Sequence, residues 1–108
     1  MSIQIQIWER RDGGSREPMG NTALELCRVI RKTKGINSAR FYWSGPDEIV
    51  FLVEGEEAAL GNPDQATLAD FARLGFILSD NAKQTLSKRL MDPKAGLENY
   101  RMAGRERK

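Results

Sequence analysis

Histidine is absent from this 108-residue sequence. Without imidazole there is no Ser-His-Asp or Cys-His catalysis, no histidine-held haem or zinc, and no ordinary imidazole pH switch. Cysteine occurs once, at Cys27, which excludes an internal disulfide and every multi-cysteine metal site. Long apolar runs are missing too. The longest, Ile49–Val53, is far short of the ~20 residues that a membrane-spanning helix needs. The start, MSIQIQIWERR, alternates polar and apolar residues and lacks the apolar stretch of a secretory signal. Together with one unpaired thiol, these absences set the expectation of a cytoplasmic protein with no membrane association.

An excess of either charge is also lacking. Lys and Arg number 17 against 15 Asp and Glu, for a net charge of +2. Residues 101–108 carry +3 of it, so the body of the chain is slightly acidic. A nucleic-acid-binding domain of this size would present a broad basic face, so nucleic acid is not an expected partner. Residues 104–108 read as a basic disordered tail and residues 1–103 as one domain. A chain of this length buries roughly 65% of its unfolded surface, enough for a core without disulfide or metal staples.

Ile3, Ile5 and Ile7 alternate with Gln4, Gln6 and Trp8, which predicts a strand with two unlike faces. The following Arg10–Pro18 segment, rich in charge and containing Gly13-Gly14, predicts a flexible loop. Thr22 and Glu25 have capping-box spacing, and Ala23, Leu26, Cys27 and Ile30 fall on one helical stripe. The predicted helix is 22–34, with Gly35 just past its end. Cys27 lies on the apolar stripe and reads as a buried structural thiol. Residues 36–43 and 49–53 predict two further strands, joined through Ser44-Gly45-Pro46-Asp47 as an antiparallel hairpin. The second of these is apolar on both faces and belongs in the sheet interior. A second helix is predicted from about residue 65. Ser79-Asp80 can cap a further helical segment with Ala82, Leu86 and Leu90 at four-residue spacing. Leu97, Tyr100 and Met102 mark a last short helix, with a short final strand over Tyr100–Met102 left open beside it.

Strand, helix, strand, strand, helix is the order of a split βαβ unit, with both helices on one face of the sheet. The isoleucine face, with Ala39 and Phe41, is expected to meet those helices. The other face would carry Gln4, Gln6, Trp8, Arg40 and Tyr42. The candidate ligand-binding residues are therefore Gln4, Gln6, Trp8, Arg40, Tyr42, Phe71 and Phe76. Arg40 suits a carboxylate or phosphate and Tyr42 a hydrogen bond or proton, while Asp70 and Asp80 become bases only if burial raises their pKa. Each also has a plain reading: Arg40 and Tyr42 as surface groups, Trp8 at an interface, Phe71 and Phe76 in a core. The basic cluster Arg28, Arg31, Lys32 and Lys34 reads as a solvated helix face. An uncovered apolar and aromatic sheet face is unusual for a monomer, and pairing of two chains through it is the expected solution.

The segments SIQIQIW, TALELCRVIRKTKG, ARFYW and EIVFLV give the chain an element order and face pattern that resembles the ferredoxin-like dimeric α/β-barrel superfamily. The resemblance spans roughly residues 2–80. Members usually end with a fourth strand, whereas 79–103 read here as mostly helical. The resulting expectation is an α+β, ferredoxin-like antiparallel sheet with helices on one face, extra C-terminal helices and a dimeric α/β barrel.

The resemblance implies a small-molecule pocket between the sheet and the adjoining helices. It implies the range of cofactor-free monooxygenases, isomerases and lyases, haem-handling proteins, ligand-sensing regulators and stress-response proteins. With histidine absent, the expected cofactor is none. The leading functional expectation is a small-molecule-binding homodimer acting as a cofactor-independent enzyme of the monooxygenase or isomerase type. The alternative is a non-enzymatic dimerisation, regulatory or stress-response module. Single-stranded RNA stacking on Trp8, Tyr42 and Phe51 ranks below both, because the Lys/Arg-Gly-aromatic signature is lacking.

Overall fold

The alternating segment SIQIQIWER forms β1 (Ser2–Arg10) in the computed structural model, which describes residues 1–62 and 65–102. It is followed by α1 (Arg16–Arg31), β2 (Ile36–Gly45), β3 (Glu48–Gly55), α2 (Gln65–Asn81), β4 (Ala82–Leu90) and α3 (Pro93–Met102). The strands form one antiparallel sheet in the order β2-β3-β1-β4. The architecture is α+β and ferredoxin-like, with α1 and α2 packed together on one face. As its apolar sequence predicts, β3 is an interior strand.

The core is built from Met19, Ala23, Leu26 and Cys27 of α1, Ile49, Phe51 and Val53 of β3, and Leu74 and Leu78 of α2. Burying a large aliphatic side chain of this kind contributes roughly 1.5–3 kcal/mol, so these contacts account for how the helices hold to the sheet. A second tie is Arg31, which donates from Nη1 to the Ala39 carbonyl at 2.6 Å and fastens the end of α1 to β2.

Helix α1 starts six residues before the predicted Thr22. Ser15 is extended, at φ −117 and ψ 140, and Arg16 opens the helix. Pro18 falls in the first turn, where an N–H has no intrahelical acceptor to lose. Thr22 is buried within the helix and caps nothing. The preceding glycine loop is pinned to the end of α2. A Cβ on Gly14 would lie 2.3 Å from the Asn81 carbonyl oxygen, so only glycine permits that approach. The Arg11 amide donates to the same carbonyl at 2.9 Å.

The predicted helix over about 80–90 is corrected to a strand, β4. Ser79 and Asp80 are the last turn of α2, and the chain passes directly into the sheet. Spacings of four residues fit a helical face, but they are also even numbers and fit one face of a strand. Pairing with β1 decided the matter, because it supplies the backbone hydrogen bonds that an exposed edge segment would otherwise lack. A register shift at Ile7/Trp8 then sends Gln84 and Leu86 to opposite sides of the sheet. The fourth strand absent from the sequence reading is therefore present.

The face of β1 that meets the helices is also the reverse of the expected one. Gln4, Gln6 and Trp8 stand opposite Val53, Phe51 and Ile49, whose side chains are in the helix-covered core. Ile5 and Ile7 stand opposite Leu52 and Val50 on the outer face. Period-two alternation tells that the faces differ; it carries no information about which one the crossover helices cover. Ala39 and Phe41 do face the helices, as predicted.

The stretch left open between helix and strand belongs to α3. Residues 104–108, the expected tail, lie outside the described residues. Among the described residues no helix is long and apolar enough to cross a membrane.

Candidate functional site

The reversed face of β1 places its two glutamines and its tryptophan beneath the helices. Gln4, Gln6 and Trp8 form the floor of a cavity of about 410 Å3, with Leu26 and Ile30 of α1 and Phe71, Gly75, Phe76 and Ser79 of α2 as walls. Gln84 of β4 completes the rim. An adjoining chamber of about 280 Å3 shares Gln4, Gln6, Ile30, Val53 and Phe71, and ends at Asn62, Ser87 and Arg89. The two chambers make one cleft. Phe76 is 76% exposed, and Gln84 and Ser87 are exposed as well. Access is thus from the side where α2 approaches the edge strand.

The hydrogen bonds on the floor have a consistent sense. The Trp8 indole Nε1–H donates to Gln6 Oε1 at 3.2 Å. Arg89 Nε–H donates to Gln4 Oε1 at 3.1 Å, and Gln4 Nε2 donates to Ser87 Oγ at 3.0 Å. Each carboxamide oxygen is therefore occupied by a protein donor. The Gln6 amide N–H pair has no acceptor among the described residues and is available to an acceptor oxygen on a ligand. Arg89 also donates from Nη2 to the Leu60 carbonyl at 3.0 Å and from Nη1 to Glu57 Oε1 at 3.5 Å. Its guanidinium carries five N–H donors, so two remain for a further acceptor.

Among the described residues the larger chamber is lined by no acidic, basic or thiol side chain, and Arg89 is the one charged residue lining the smaller. Such a site binds by apolar contact and orients by neutral hydrogen-bond donors; it offers no carboxylate as a base. Among the described residues there is also no group of three or more His, Cys, Asp or Glu suited to a metal ion.

Five of the seven candidate residues, Gln4, Gln6, Trp8, Phe71 and Phe76, come together in this cleft. Arg40 and Tyr42 do not. They stand opposite Leu52 and Val50 on the outer face, both exposed and Tyr42 at 50%. The expectation that they share a face with the glutamines is corrected, because β1 and β2 present opposite parities to the helices. Asp70 is an exposed helix residue 3.6 Å from Arg73, outside the cleft, and Asp80 is exposed too. Trp8 and Phe51 face the helices while Tyr42 faces away, so the three form no common stacking platform.

Arg89, Ser87 and Gln84 were missed by the sequence reading because β4 was read as a helix. Once the strand is known, Ser87 and Arg89 are two residues apart and share a side, and their partners Gln6 and Gln4 place them over the cleft. Cys27 is a core residue at 1% exposure, and burial pushes its thiol up to about 11. The basic cluster on α1 is largely engaged at the surface. Arg28 pairs with Glu25, and Arg31 bonds the Ala39 carbonyl.

No family model and no curated protein matches the sequence. Solved structures do match in shape. SnoaB from Streptomyces nogalater, a cofactor-independent oxygenase, superposes with a TM-score of 0.68 at 8% identity, over 84% of this chain and 91% of that one. MupZ from Pseudomonas fluorescens gives 0.65 at 15% identity, over 94% of this chain and 75% of that one. A candidate antibiotic biosynthesis monooxygenase from Deinococcus radiodurans gives 0.62 at 12% identity, covering 85% and 92% of the two chains. At these identities the likeness is one of fold: the chain shares a ferredoxin-like α+β fold with these structures.

Proposed function

We propose that this protein binds a small, largely apolar molecule bearing a carbonyl or phenolic oxygen in the cleft between sheet and helices, and acts on it as a cofactor-independent oxygenase. The observation that carries the reading is the Gln6 carboxamide. Its oxygen is held by Trp8, and its N–H pair lies open among apolar walls formed by Trp8, Phe51 and Phe71. Pockets that are mostly apolar with a few placed polar groups are the usual form of small-molecule sites.

With no carboxylate among the described residues that line the larger chamber, the reading calls for a substrate that is itself acidic. Its enolate or phenolate oxygen would be held by the Gln6 N–H donors. The electrons for dioxygen would then come from the substrate anion. One oxygen atom enters a substrate methylene as a carbonyl and the other leaves as water. The oxygenase nature of SnoaB, which has the same fold, supports this choice of chemistry.

The protein would act as a homodimer. The outer sheet face carries Ile3, Ile5, Ile7, Val50 and Leu52, with Leu86 and Leu90 exposed beside them, and among the described residues no helix covers it. Two-fold pairing through such a face removes a large apolar surface from water. The compartment remains the cytoplasm on this reading, as for a protein with a single reduced thiol.

The lack of an ionisable group in the larger chamber also favours a second reading, a non-catalytic ligand-binding module. Oxygen uptake separates the two. Aromatic phenols and ketones should quench tryptophan emission saturably, and Gln6→Leu should weaken that binding about tenfold, the usual scale for a lost buried hydrogen bond. Uptake of dioxygen with a bound aromatic ketone that carries an acidic ring methylene supports the oxygenase. Binding without uptake supports the module, and no saturable binding by any of them sinks both.

A further inference from the structure

Two glycines lie inside the long helices: Gly20 in α1 and Gly75 in α2. Glycine is the least favourable residue after proline in a helix interior, so each needs a reason. For Gly20 the chain supplies one. A Cβ there would sit 3.0 Å from the Trp43 ring, which packs directly on the helix backbone. For Gly75 the chain supplies none. A Cβ there would meet no atom within 4 Å, and the backbone is not in the left-handed region. Neither close packing nor a special conformation accounts for it. Gly75 does line the larger chamber of the cleft, beside Phe76 and across from Trp8 and Gln6.

We infer that Gly75 sets the size of ligand the cleft accepts. By omitting a side chain it leaves the α2 backbone as a wall of the chamber above the β1 floor. A side chain at this position would occupy space that the fold leaves empty. The helix gives up stability for that space. This inference rests on the cleft being a ligand site, and it names the residue that limits how large a ring system that site admits.

The test uses the full chain with Trp43→Phe, so that Trp8 gives the single indole N–H signal in a nitrogen-15 correlation spectrum. 2-Naphthol, a planar two-ring phenol, is the probe. In this parent the Trp8 signal shifts saturably with added 2-naphthol. Gly75→Ala weakens the apparent affinity roughly threefold to tenfold, the scale of one methyl group in a pocket, and raises the melting temperature by about 4 °C. Gly75→Leu abolishes the shift. Unchanged affinity in both variants overturns the role of Gly75 and leaves the cleft standing. A lower melting temperature for Gly75→Ala overturns it as well, because the added methyl then meets the fold itself. A parent whose Trp8 signal never moves overturns the ligand cleft, and this inference with it.

Discussion

Arg89 on β4 donates its Nε–H to Oε1 of Gln4 on β1 at 3.1 Å, and this bond settles which way the Gln4 carboxamide faces. With its oxygen held, Gln4 turns its nitrogen to Ser87 Oγ at 3.0 Å. The hydroxyl proton of Ser87 is then left to serve a ligand at the end of the smaller chamber. On its other side Arg89 meets Glu57, whose second carboxylate oxygen is buried with no partner among the described residues.

Replacing Arg89 with Leu removes the donor to Gln4, to the Leu60 carbonyl and to Glu57 at once. The half-buried Glu57 is left uncompensated, at a cost of about 1–3 kcal/mol. Urea denaturation should read this loss, and Glu57→Gln in the same background should restore part of it. Equal midpoints for the single and double variants would show that the pair is not coupled.

The outer face makes a prediction about assembly. Ile5 lies between Leu52 and Lys88 across the sheet. Ile5→Asp places a carboxylate beside Lys88 within one chain, so the fold is kept, and puts a charge into the apolar face through which two chains would pair. Light scattering on a sizing column should give half the particle mass of the parent, with an unchanged circular dichroism spectrum. A parent that is already monomeric at micromolar concentration removes the basis for pairing.

Cys27 predicts a loss of stability in alkali. Burial pushes the thiol from its ordinary 9.0 up to about 11. Between those values the unfolded chain has released the proton while the folded chain holds it, so stability falls as pH rises from 9 to 11. Below pH 9 the contribution is fully present. Denaturant midpoints measured across that interval should slope downward, and Cys27→Ala should make the slope shallower. Iodoacetamide should label the native thiol far more slowly than the unfolded one.

Asp47 acts in the opposite sense. Arg10 donates its Nε–H to Asp47 Oδ1 at 2.8 Å, and Arg16 joins the same oxygen at 2.9 Å. The hydrogen bond from Arg10 holds the carboxyl below its ordinary 3.8. Its contribution to stability is present above that value and is lost as pH falls below it. Asp47→Asn should flatten the acid limb of the melting curve, and an unchanged limb would count against the cluster as a fastening for the β2–β3 turn.

Much of this was readable along the chain. The Ile/Gln alternation located β1, the stripe of Ala23, Leu26, Cys27 and Ile30 located α1, and the Ser44–Asp47 turn located the hairpin. The ferredoxin-like order followed from these. The sequence misled on β4, since the four-residue spacing of Ala82, Leu86 and Leu90 reads as a helical stripe while the segment pairs with β1 as a strand. It was silent on Arg89 for the same reason. Gly75 carried a signal of its own, a glycine inside a helical pattern, but its meaning needed the empty space beside it.

Local residue order determined the elements, their order and the existence of two unlike faces on β1, because alternation and helical spacing are properties of a segment alone. Which face the helices cover, and therefore that Gln4, Gln6 and Trp8 line a cleft while Arg40 and Tyr42 look outward, was decided only in the tertiary structure. Cover is a relation between segments. It depends on the register of β1 against β3 and on where the crossover helices come to rest, and neither is written in the period of a single strand.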